Sequence, residues 1–74
     1  MELKRLAKRV ADATGLEHTR NLIVLRQYIK STPESSLLEQ VEKFDSVRLL
    51  RILWEAGLSS NMQQAVISQI EDIS

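Results

Sequence analysis

The chain has 74 residues, 43% of them hydrophobic and 27% charged, with two glycines, one proline and no cysteine. Such a length bounds one domain, residues 1–74, with a core near the lower limit of self-sufficiency, and the composition argues against disorder and against a loop-rich β fold. The absent thiol excludes disulfide staples, thiolate metal centres and cysteine nucleophiles. Net charge is zero but unevenly laid out: residues 1–30 carry seven cations against three anions, and residues 31–74 three cations against seven anions. A basic front and an acidic back can attract each other inside the fold or pair head to tail between copies.

Helical periodicity predicts an all-α bundle of five short helices over 2–14, 17–30, 33–44, 46–56 and 60–73. In the first, Leu3, Leu6, Ala7, Val10 and Ala11 follow an i, i+3, i+4, i+7, i+8 stripe, and Gly15 is placed to end it as a left-handed cap. Thr14 and Glu17 have capping-box spacing for the second. There Leu22, Ile23, Val24, Leu25, Tyr28 and Ile29 cover more than one face, which predicts packing on two sides. Ser31-Thr32-Pro33-Glu34 supplies a hydroxyl cap, a first-turn proline and an early acid for the third helix, whose Leu37, Leu38, Val41 and Phe44 face inward. Asp45 or Ser46 caps the fourth, which Gly57 ends. Val47, Leu50, Leu53 and Trp54 share its core face, widened by Leu49 and Ile52, with Arg48 and Arg51 at the margins and Arg51 one turn from Glu55. Ser60 to Gln63 is a further capping-box pattern, opening a helix striped by Met62, Val66, Ile70 and Ile73. A shift of twenty-five residues lays the second and third helices onto the fourth and fifth, leaving the first in front.

Asp45, the Val47-Arg48 pair and the Leu49–Leu53 run resemble the second helix of a HEAT-type repeat. The resemblance covers about a third of the chain, and the unit here is shorter than that family's usual one. It implies an α-solenoid-like arrangement with a concave face for protein partners.

Chemistry-bearing constellations are few. His18 is the only histidine and has no company of ligands for a metal. The serines crowd helix starts, where hydroxyls satisfy free backbone N–H groups, rather than sitting beside a base as a nucleophile requires. Glu39, Glu42 and Asp45 read as a solvated face, because carboxylate catalysis needs a cleft to desolvate one member. The expectation is therefore no enzyme, no cofactor, no metal and no small-molecule substrate. No apolar run is long enough to span a bilayer, and the start lacks a signal peptide's apolar stretch; the default reading is cytoplasmic, without a membrane partner.

Two binding readings remain. The surplus apolar residues of the second and fourth helices, with Trp54 as an interface or core anchor, point to a protein partner or self-association, including a homodimer. Were Trp54 in the core, its replacement by Ala would cost roughly 3–5 kcal/mol. The alternative is a nucleic-acid-binding accessory domain in which Lys4, Arg5, Lys8, Arg9, Arg20 and Arg26 rest on phosphates. A DNA-reading helix in the acidic second half is disfavoured, since the fifth helix offers no Lys or Arg.

Overall fold

Residues 2–74, which the computed structural model describes, form five α-helices: α1 Glu2–Asp12, α2 Gly15–Ser31, α3 Glu34–Val41, α4 Val47–Ala56 and α5 Ser60–Ile73. No described residue is in a strand. The all-α reading holds, and a radius of gyration of 11.3 Å is that of a compact chain of this length, about 11 Å.

Helix α1 is the hub. Leu3, Ala7 and Val10 are fully buried and Leu6 nearly so, as the apolar stripe requires, and the helix packs against α2, α4 and α3. Leu25, Leu37, Val41, Phe44, Leu50, Leu53, Met62 and Val66 complete the buried centre. Helix α5 closes the bundle against α3 and α4.

The connections are short because each is built from specific turn chemistry. Gly15 has φ +60° and Gly57 φ +92°, left-handed values that cost other residues energy. Gly57 ends α4, while Gly15 belongs to the first turn of α2, two residues earlier than predicted. Thr14 occupies the N-cap of α2 without a side-chain cap bond, and Glu17 pairs with Arg20 instead; the capping box does not form. Before α3, Pro33 takes the N-cap position. The hydroxyls of Ser31 and Thr32 donate to the Tyr28 carbonyl, Thr32 at 2.6 Å, so they end α2 rather than begin α3. Ser46 caps α4 through the Leu49 amide, and Ser59, one residue before the predicted cap, caps α5 through Met62. Helix α3 stops at Val41, three residues short of expectation, and a turn carries the buried Phe44 into the core.

Two predicted packing arrangements are corrected. Helix α2 packs on one side only: Leu25 is its one fully buried residue, and Ile23 and Val24 are each 47% exposed. Helix α4 is rotated from the predicted face. Its buried arc runs through Leu49, Leu50, Ile52, Leu53 and Ala56, and Trp54, which helical geometry places about 40° beyond Leu50, falls outside it. Ala56, 1% exposed, lies within that arc between Ile52 and Leu49. Positions related by the twenty-five-residue shift agree in part. Leu25 and Leu50, Leu37 and Met62, and Val41 and Val66 are buried in both members, whereas Val24 is exposed and Leu49 buried.

Burial sets the energetic ranking. Leu50→Ala removes a fully buried side chain and should destabilise the domain by roughly 2–5 kcal/mol. Leu16→Ala, at a position 80% exposed, should change stability by less than about 0.5 kcal/mol. Urea unfolding of the two variants followed by circular dichroism checks both.

Candidate interaction surface

The six basic residues predicted to meet phosphates have diverse fates. The Lys4 ammonium lies 3.1 Å from Asp45. Arg5 binds Glu2 through both its Nε (2.8 Å) and a terminal nitrogen (2.9 Å), and Arg20 meets Glu17 at 3.4 Å. The Arg26 Nε donates to the Ala56 carbonyl at 3.0 Å, closing the C-terminal end of α4. Lys8 and Arg9 alone of the six make no ion pair or side-chain hydrogen bond among the described residues. They line a groove between α1 and α2 together with Arg5, but Asp12 and Glu17 line it as well, so an anion entering there meets two carboxylates.

Asp45 registers the Lys4 contact. Hydrogen bonding to the ammonium, then its charge, holds the Asp45 carboxyl below its ordinary value of 3.8. A lowered native pKa means that this contribution to stability is complete above the unfolded-state value and is lost as pH falls through the native one. Asp45→Asn removes the contribution at neutral pH. The stability difference between wild type and variant should therefore shrink as the pH falls below 3.8 and through the lowered native value.

Glu39, Glu42 and Asp45 are all exposed, as a solvated set requires, but Asp45 leaves the helix face of the other two. It lies beyond the end of α3 and faces α1. His18 sits in the first turn of α2, as its position predicts. Its Nδ1–H donates to the Val10 carbonyl at 3.0 Å. Arg48 is likewise structural, with its guanidinium 2.8 Å from the Ala11 carbonyl and 3.8 Å from Asp12. Sequence reasoning placed it at a core margin and had no local signal for this long-range cap.

What the fold leaves open is apolar. Leu16, Ile23 and Val24 on α2, Trp54 on α4, and Ile67 and Ile73 on α5 are all exposed. Leu16 and Ile23, seven residues apart, share one stripe of the outer face of α2, among Arg20, Gln27 and Lys30. The other concentration is a groove of about 540 Å³ between α4 and α5, whose lining includes Leu50, Ile52, Trp54, Val66 and Ile70, rimmed by Arg48, Arg51 and Glu55. Trp54 is 44% exposed there. Arg51 and Glu55, one turn apart on α4, are both exposed and form no ion pair among the described residues.

Comparison with family models, curated proteins and solved structures finds no match to this chain. No helix is long and apolar enough to cross a membrane among the described residues.

A half-exposed indole gives up less on truncation than a buried one. Trp54→Ala should cost about 2 kcal/mol, roughly half the loss for a buried aromatic, and leave a folded domain with an unchanged helical circular dichroism spectrum.

Proposed function

We propose that this chain is a non-catalytic helical module, acting in the cytoplasm, that binds another protein chain or a second copy of itself through the α4–α5 groove. The observation that carries the reading is the lone tryptophan, 44% exposed over an apolar groove and flanked by arginines. Contiguous apolar surface on a small protein marks an interface. Trp and Arg are the residues that most often dominate binding energy. The HEAT-like pattern at Asp45–Leu53 is in keeping with this, because helical repeats present a face to protein partners. Every carboxylate except Glu2 is exposed, which favours charge work at a surface over acid–base catalysis, where a desolvated member is needed.

The nucleic-acid reading rests on Lys8 and Arg9. It is the weaker one because the other four cations have partners within the fold and the groove beside α1 carries two acids.

Salt separates the two. Nucleic acid bound through phosphates would hold at low salt and release steeply as salt rises. The protein-interaction reading predicts no retention of labelled duplex or single-stranded DNA or RNA even at about 20 mM salt, an ionic strength where screening is weak. Retention that Lys8→Glu/Arg9→Glu abolishes would replace it with the nucleic-acid reading.

A further inference from the structure

The outer face of α4 combines three things that an interface between identical copies needs. An apolar side chain, Trp54, stands partly in water. A cation and an anion, Arg51 and Glu55, lie one turn apart, both exposed and neither ion-paired among the described residues. All three line the same groove. In an isologous pair, residue i of one copy meets residue j of the other and j meets i, so a charged face is self-complementary only when it carries both signs.

We propose that the occupant of this face is a second copy of the chain, with α4 laid antiparallel on α4 about a two-fold axis level with Leu53. This rests on the interaction reading above and names its partner. Level with Leu53, the axis stands two residues from both Arg51 and Glu55, so each Arg51 comes opposite Glu55 of the second copy. The same symmetry puts both Trp54 side chains on one side of the contact, where each shields the other from water.

The competing apolar stripe, on α2, lacks this property. Leu16 and Ile23 lie among Arg20 and Lys30, and the nearby acid, Glu17, is already held by Arg20. The α1–α2 groove carries both signs but no large apolar residue. A standard interface takes about 800 Å² from each partner, roughly a sixth of this chain's 4762 Å², so the contact extends from α4 onto the adjoining side of α5. There the half-exposed Ile67 lies one turn from Glu71.

The test is the solution mass of the full chain by light scattering after gel filtration, with circular dichroism to confirm folding. Wild type should be a dimer whose mass falls on dilution. Arg51→Glu and Glu55→Arg should each be folded and monomeric, because every copy then opposes like charges twice. The double variant Arg51→Glu/Glu55→Arg should dimerise again, and an equimolar mixture of the two single variants should form a one-to-one complex, since unlike charges then meet at both contacts. A wild-type chain that stays monomeric at about 1 mM, where even a weak dimer of millimolar Kd would be populated, overturns the two-copy proposal. A dimer indifferent to both single charge reversals overturns it too. In either case the broader interaction reading survives if Trp54→Ala abolishes binding to a separately identified protein partner, and falls with the proposal if the surface binds no protein.

Discussion

The backbone groups left over at helix ends constrain this fold more than any single apolar contact. Five short helices expose many such groups for so few residues, since each end leaves several amides or carbonyls without an intrahelical partner. Many of them are met here by side chains from other helices. At the C-terminal end of α1, the carbonyls of Arg9, Val10 and Ala11 accept from Asn21, His18 and Arg48. At its other end the Leu3 amide donates to Gln40, whose own amide reaches Tyr28 and Ser36. Gln69 closes the turn after α3 through the Glu42 and Phe44 carbonyls, and Arg26 closes α4. Glu34, in the first turn of α3, accepts from Ser59 and Asn61 at the start of α5. Apart from the Gln40–Ser36 bond within α3, each ties one helix end to another helix. Together they set the register in which the apolar stripes meet.

This explains which parts of the structure were legible in the sequence. Number, type and order of helices were readable because stripe spacing and the Gly, Pro and Ser punctuation are local. The buried face of α1 followed directly from Leu3, Leu6, Ala7 and Val10. The orientation of α4 did not, because that helix carries more large apolar residues than one face can bury. Which of them lose contact with water depends on where α1 and α5 sit. Trp54 was misplaced for that reason, and the two-sided packing expected of α2 failed likewise. The interhelical caps were invisible for a related reason: His18, Gln40, Arg48 and Gln69 act over separations of eight to 37 residues. Nothing in their neighbourhood marks them. Arg26 illustrates the consequence, since a cation that reads as phosphate-seeking is occupied by a carbonyl.

The same internal bookkeeping shapes the surface. Lys4, Arg5, Arg20 and Arg26 are engaged within the fold, so the basic front of the sequence is less available as a folded surface. What remains uncommitted includes Lys8 and Arg9 on α1, Arg51 and Glu55 on α4, and a handful of apolar side chains on the outer faces of α2, α4 and α5. Exposed charges in isolation contribute little to affinity. A tryptophan beside unpaired charges of both signs is a different arrangement, because burying the indole supplies energy and the charges supply register and specificity.

Whether α1 truly organises the rest can be read from native-state hydrogen exchange of the backbone amides, which ranks helices by the free energy of opening. If α1 is the element on which the others are seated, the amides of Leu6, Ala7 and Val10 should exchange only through global unfolding, with protection equal to that of Leu50 and Leu53 in α4. Protection in α1 below that of α5, reached by local opening while the remaining helices stay closed, would show that the first helix is an appendage and that the fold is held elsewhere.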